Sequence, residues 1–179
     1  KAHEELNLPA NPSLSMNLAA LVTVTTVEFR RDLPADLVTV DDRPLAGAAL
    51  ARVLAHLDRV RALAGIEHRA WVASRNDFPA GTGLASSASA FAALSLAATR
   101  AAGLDLAEAA LSRLARLGSG SACRSVPGGF CLWEGDDDRT SIARQLAPAE
   151  HWNLVDVVAI VSQKHKPVGS HDGHALAPG

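Results

Sequence analysis

The chain has 179 residues, with 17 Lys+Arg against 19 Asp+Glu and a formal net charge of −2. That balance supplies no basic field for a nucleic acid or an anionic membrane surface, so any anionic ligand must be held by a local site. Hydrophobic residues make up 48% and charged residues 20%, beside 13 Gly and 9 Pro, which excludes disordered, collagen-like and disulfide-scaffold compositions and leaves one globular domain as the expectation.

In chain order, the start Lys1-Ala2-His3-Glu4-Glu5 lacks the basic cap and apolar run of a signal peptide. Lys1, which is not an initiator, and the closing Ala177-Pro178-Gly179 read as the ends of a piece of a longer protein. Residues 12–29 alternate weakly and are rich in Val and Thr, with 21–29 fitting a strand of period two; Arg30-Arg31-Asp32-Leu33-Pro34 is a turn, and residues 37–40 a short partner strand, so a β-meander is expected. Across residues 46–64, Leu50, Val53, Leu54, Leu57, Val60 and Leu63 recur at three and four, an amphipathic helix ending at Gly65. Residues 67–74 are a further strand with Ala70 and Val72 on one face. A turn cluster, Asp77 to Gly83, leads into a helix of small residues over 84–102, and a second helix covers 106–117, with Asp105 as N-cap and Gly118 as its stop. One more helical turn is expected over 119–125, and strands over 130–133 and 154–162. Strands, then helices, then strands, without strict alternation, indicate an α+β fold.

The apolar stretch 84–99 is interrupted by four serines and is too short and too polar to span a bilayer. Cys123 and Cys131 show no CxxC or finger spacing, the usage of a reduced, cytoplasmic protein.

The most informative run is Pro79-Ala80-Gly81-Thr82-Gly83-Leu84-Ala85-Ser86-Ser87-Ala88-Ser89-Ala90. Its glycines let backbone N–H groups turn toward one point, and a helix starting there adds unpaired donors and a positive dipole end, which together suit a phosphate. Serine hydroxyls in that first turn can meet phosphate oxygens or magnesium. A tight strand-to-helix turn whose small residues merely allow close packing explains the same composition. The run is not a P-loop, since GxxxxGK[ST] is absent, and Ser86 stands where a dinucleotide fold needs its third glycine or alanine. Further on, Gly118-Ser119-Gly120-Ser121 followed by Arg124 offers hydroxyls, a flexible backbone and a guanidinium about one turn away. Such a set can grip a carboxylate or phosphate, and equally it can be a helix end followed by a solvated loop. No GxSxG elbow supports a serine hydrolase.

Pro-x-x-x-Gly-Leu-x-Ser-Ser-Ala, realised as Pro79 to Ala88, resembles the nucleotide motif of the GHMP small-molecule kinases. The longer run from Phe78 to Leu94, Gly118 to Ser125, Gly128-Gly129-Phe130, Leu6 to Ser15 and Lys164 to Gly173 is similar in order to the diphosphomevalonate decarboxylase branch. The resemblance covers essentially the whole chain. It implies a GHMP kinase-like N-terminal domain over residues 1–179, a mixed sheet packed with helices, without the family's first strand and C-terminal domain. The implied reaction is ATP-dependent decarboxylation of (R)-5-diphosphomevalonate to isopentenyl diphosphate. A phosphomevalonate decarboxylase, a mevalonate 3-kinase or a non-catalytic nucleotide-binding relative are the alternatives.

On this resemblance, ATP with Mg2+ is held by Pro79, Gly81, Gly83, Leu84, Ala85, Ser86, Ser87 and Ser89, and no metal is bound directly by the chain. Ser119 and Ser121 hold the substrate's phosphate end, joined by Ser170, His171 and Lys1, while Arg124 orients the carboxylate that leaves as carbon dioxide. His171 stands where some bacterial members place an arginine. The family's general-base aspartate lies in an Asp-Ala-Gly-Pro-like motif that these residues do not contain, and Asp172 does not match it. The implied partner is a small-molecule substrate, with no nucleic acid or membrane; a homodimer is compatible. His165, His171 and His174 lack the fourth ligand or the helix that a zinc site needs.

Overall fold

Two sheets and three helices make up the computed structural model, which describes residues 5–78 and 86–157. In chain order the elements are β1 (Ser13–Met16), β2 (Thr23–Arg30), β3 (Leu37–Val40), β4 (Arg43–Pro44), α1 (Gly47–Ala64), β5 (Arg69–Asn76), α2 (Ser86–Ala101), α3 (Glu108–Gly118), a 3-10 turn (Gly120–Ser125), β6 (Phe130–Glu134) and β7 (Ile142–Ala147). The expected α+β class is what forms.

The first sheet has the order β2-β5-β3-β4. The β-meander expectation is therefore corrected: β2 and β3 are not neighbours, because β5 lies between them, antiparallel to β2 and parallel to β3. The physical reason is visible in one row of side chains. Val72 of β5 is in register with Val27 of β2 on one side and Val38 of β3 on the other, and all three are buried. A β2–β3 hairpin would leave Val72, at 2% exposure, without two apolar flanks. Over this row pack Leu57 and Val60 of α1, Phe91, Leu94 and Ala98 of α2, and Leu114 and Ala115 of α3.

Helix α1 spans the expected stretch and stops at Gly65, whose φ of 65° is a left-handed cap that glycine adopts without Cβ strain. A buried ion pair pins its far end to the sheet. Arg61 donates to Asp36 with side-chain exposures of 8% and 7%, while Asp36 also accepts the Ala70 N–H at 2.6 Å and Arg61 donates to the His68 carbonyl at 2.9 Å.

At α3 the expected N-cap is corrected. Ala107 occupies that position with no side-chain cap, and Asp105 instead pairs with Arg100 at 2.6 Å. Gly118, expected as the stop, is the last helical residue, with Ser119 as C-cap. Its glycine serves close approach, since a Cβ there would lie 2.2 Å from Cδ1 of Phe91.

The second sheet, β1-β6-β7, is antiparallel throughout; β1, β4 and β7 were not expected. Ser112 of α3 ties this sheet to the 3-10 turn, accepting the Ala143 N–H at 2.9 Å and donating to the Cys123 carbonyl at 3.1 Å. The described part of the expected 154–162 strand, residues 154–157, is exposed and irregular, and residues 158–162 lie outside the described residues. Cys123 and Cys131 are free and buried. No described helix is long and apolar enough to cross a membrane.

Candidate functional site

The two regions singled out in the sequence meet at the start of α2. Its first turn carries Ser86, Ser87 and Ser89 and contains no acidic residue, so the helix's positive end faces no competing carboxylate from its own first turn. The Ser87 hydroxyl lies 3.4 Å from that of Ser119, which joins this turn to the α3 C-cap. Ser89 accepts a 2.8 Å hydrogen bond from Thr23 of β2, whose oxygen is also 2.7 Å from Asn76 Oδ1 on β5. The sheet edge therefore sets the rotation of α2. Asp77 adds a second tie, accepting the Val22 N–H at 2.7 Å while its own N–H reaches the Val22 carbonyl at 3.1 Å. Pro79, Gly81, Gly83, Leu84 and Ala85, like Lys1, Ser170 and His171, lie outside the described residues, as do His165 and His174.

After Ser119 the chain turns through Gly120, where a Cβ would be 3.5 Å from both Asn7 Cβ and Trp133 Cη2, and runs on as the 3-10 turn. Ser121 and Arg124 are both half-buried on that turn. Arg124 is half-buried and not the side chain of a solvated loop. Its Nη1 donates to Ser13 Oγ at 2.6 Å, and its guanidinium sits 5.5 Å from the Trp133 ring. No carboxylate among the described residues pairs with it, in contrast to Arg113 and Arg116 of α3, which both bind Asp138. A half-buried guanidinium with a neutral acceptor on one nitrogen and an aromatic face below it is suited to take an anion through its remaining N–H groups.

Neither cysteine adds chemistry here. Burial pushes the Cys123 thiol up to about 12, overcoming the opposing pull of Arg124 and Arg116, and burial also raises Cys131; a thiol that stays protonated is neither a nucleophile nor a metal ligand. No group of three His, Cys, Asp or Glu among the described residues could hold a metal ion.

Sequence reasoning had not singled out Ser13, Trp133 or Thr23. Ser13 lies inside a run that carries the resemblance and Trp133 inside a predicted strand, but what gives them meaning is strand register, which no local pattern encodes. An open depression lined by Arg30, Arg31, Glu67, His68 and Arg69 lies at the opposite end of the β2–β5 ladder from Thr23 and Asn76, and is separate from this site.

The family described as diphosphomevalonate decarboxylase-like N-terminal domain matches residues 1–143. The chain belongs to this family. It is 40% identical over 193 aligned positions to the diphosphomevalonate decarboxylase of Bos taurus, covering 97% of this chain and 47% of that protein. A phosphomevalonate decarboxylase of Haloferax volcanii is 42% identical over 135 positions, covering 75% of this chain and 42% of that one. The fold is shared with a solved structure of the mevalonate diphosphate decarboxylase of Enterococcus faecalis, described for its ATP binding mediated by mevalonate diphosphate. The TM-score is 0.79 at 45% identity, over 85% of this chain and 47% of that one. The chain thus spans about half the length of the relatives it matches.

Proposed function

We propose that the protein to which this chain belongs catalyses the ATP-dependent decarboxylation of (R)-5-diphosphomevalonate to isopentenyl diphosphate. The observation that carries the reading is Arg124, a guanidinium with no carboxylate partner among the described residues, on the turn that follows Ser119, carries Ser121 and adjoins the α2 start. The E. faecalis structure's description names both mevalonate diphosphate and ATP, and Arg124 and the serines supply what a carboxylate and a phosphate end would need.

In this reading residues 79–89 hold ATP, with Mg2+ neutralising charge on its phosphates. The substrate's tertiary hydroxyl attacks the terminal phosphorus, and the bond from that phosphorus to ADP breaks. That step forms a new oxygen–phosphorus bond; the substrate's original tertiary carbon–oxygen bond then breaks as phosphate departs, the carbon–carbon bond to the carboxylate breaks as carbon dioxide departs, and its electron pair becomes the alkene. Arg124 holds the carboxylate through its planar fork while Ser119 and Ser121, with Lys1, Ser170 and His171, hold the phosphate end. The general base comes from outside these residues, which contain no Asp-Ala-Gly-Pro-like run. A small-molecule substrate and a cytoplasmic setting accompany the reading, and a homodimer is compatible with it.

A monophosphorylated substrate is the second reading, favoured by the 42% identity to the H. volcanii protein. Specificity constants for 5-diphosphomevalonate and 5-phosphomevalonate, measured with the natural flanking sequence present, decide between them. Diphosphate is expected to win, and a preference of more than about tenfold for the monophosphate, roughly 1.4 kcal/mol, would replace the first reading by the second. The nucleotide assignment is tested by Gly83→Val, expected to weaken ATP binding about tenfold or more while leaving the fold intact; an unchanged titration would remove it.

A further inference from the structure

The environment of Arg124 is built by strand register. Ser13 on β1 and Trp133 on β6 are directly opposite partners in the antiparallel ladder, so their side chains emerge on the same face of the sheet. Arg124 touches both: its Nη1 donates to Ser13 Oγ at 2.6 Å, and its guanidinium carbon lies 5.5 Å from the Trp133 ring centroid. The indole is itself fixed, being 8% exposed and donating from Nε1 to the buried Ser141 Oγ at 3.0 Å. Gly120 runs past the indole edge, where a Cβ at that position would sit in ordinary contact, 3.5 Å from Trp133 Cη2. The guanidinium is thus held at one nitrogen and from one face. Its Nε and Nη2 carry no hydrogen bond to a described residue.

We propose that Ser13 and Trp133 are positioning residues for Arg124, a two-point cradle that fixes the guanidinium's rotation so that its unbonded Nε–Nη2 edge is presented to the substrate carboxylate. This rests on the proposed role of Arg124. Ser13 and Trp133 need not touch substrate. Their effect is to remove rotamer freedom from a long side chain before the ligand arrives, so that the ordering cost falls on folding and not on the catalytic step. Two details favour a device over ordinary packing. The acceptor on Nη1 is a neutral hydroxyl, which orients the cation without neutralising it. The aromatic face stabilises a cation without occupying any of its N–H groups.

The test uses the enzyme with its natural flanking sequence and follows carbon dioxide release. Ser13→Ala and Trp133→Phe are each expected to lower kcat about five- to tenfold, with the KM for ATP unchanged. Ser13→Thr, which keeps the Oγ acceptor, should stay within about twofold of the parent. The decisive readout is a double-mutant cycle. With Arg124→Lys already present, adding Ser13→Ala should cost less than twofold more, because a cradle without its guanidinium has nothing to position. Losses that multiply in full in the Arg124→Lys background would make Ser13 and Trp133 merely structural and overturn the inference. If Arg124→Lys is severely impaired while Ser13→Ala and Trp133→Phe are parental, the inference fails and the role of Arg124 stands. Parental kinetics for Arg124→Lys overturn that role and the cradle with it. Should Trp133→Phe lower the thermal unfolding midpoint, Ser13→Ala and Ser13→Thr decide alone.

Discussion

Arg116 and Arg124 stand on either side of the bend at Ser119, and they spend their charge in opposite ways. Arg116 is fully buried. Its Nη2 donates to the Asp138 carboxylate at 2.6 Å and the Asp138 carbonyl at 2.9 Å, its Nη1 donates to the Leu6 carbonyl, and its own carbonyl accepts from Asn7 Nδ2 at 3.1 Å. Arg124 is half-buried and, among the described residues, held by a hydroxyl and an indole. A cation fastened by a carboxylate ties α3 to the β6–β7 loop and to the segment before β1. A cation fastened by neutral groups keeps its charge for a ligand. Within one short stretch of chain, the kind of acceptor separates an arginine that holds the fold from one available for chemistry.

The largest effect should come from removing the carboxylate. Asp138→Ala leaves the Arg116 guanidinium buried without its counter-charge, and about 3–5 kcal/mol of stability should be lost in urea unfolding. Arg124→Met should cost no more than about 1 kcal/mol, the scale of one neutral hydrogen bond. Equal losses would erase the distinction. Acid offers the same test: hydrogen bonding to Arg113, reinforced by Arg116, holds the Asp138 carboxyl below its ordinary range against the opposing effect of burial. Its contribution is present above the unfolded carboxyl's pKa, and it disappears as pH falls through the lower folded value.

Next in size, Arg124→Lys in the complete enzyme should raise the transition-state barrier by about 2–4 kcal/mol with little change in stability, seen as lost kcat/KM at an unchanged unfolding midpoint. A point charge cannot reproduce the planar fork.

The comparison sharpens at His56, a buried basic group that has no counter-charge among the described residues and stays neutral. Burial, helped by the nearby Arg59 charge, pushes it down to about 3. Its Nε2 meets Ser95 Oγ at 2.8 Å, and because that hydroxyl donates to the Phe91 carbonyl at 2.6 Å, the histidine is the donor. An unfolded histidine takes up its proton near about pH 6.5 and the folded one does not. Stability is therefore complete above that pH and falls toward pH 3, by about 2–3 kcal/mol between pH 7 and 4.5. His56→Leu should flatten that slope in urea titrations across this range, and an unaltered slope would place its origin elsewhere.

A smaller effect than that at His56 belongs to Gly118, the residue before the bend. In Gly118→Ala the new methyl meets the Phe91 ring, and overpacking should cost about 1–2 kcal/mol, read as a lower thermal midpoint. Because Phe91 belongs to α2, the displacement should also reach the Ser87–Ser119 contact and weaken nucleotide binding, an effect that Asp138→Ala should not share.

What could be read from the sequence follows from which information is local. Helix α1 was legible because its apolar spacing and Gly65 belong to one stretch of chain, and β3 because Leu37 to Val40 carries its own boundaries. The β2–β3 meander failed because partnership is decided by Val72, far along the chain. Asp105 failed as a cap because α3 begins only at Glu108, with Ala107 at the cap position, which leaves Asp105 two residues too early and paired with Arg100. In the site, Ser87, Ser119 and Arg124 were found through residue chemistry joined to the resemblance, whereas the Ser13–Trp133 cradle and the Asp138 anchor of Arg116 depend on register and loop placement.

The central position of β5 also governs the order in which the protein can acquire structure. On a ribosome adding roughly 5–20 residues per second, β2 and β3 emerge well before Arg69–Asn76, the strand that must lie between them. The local β3–β4 pairing and α1 can form early, but β2 waits as an unpaired edge with Val24 exposed and Val27 lacking its cover. Non-local closure of this kind is slow, so the interval before β5 arrives is when the nascent chain most needs protection from pairing with another chain. Substitutions in Ala70 or Val72 should therefore lower the yield of folded protein in cells more steeply than their effect on equilibrium stability alone would suggest.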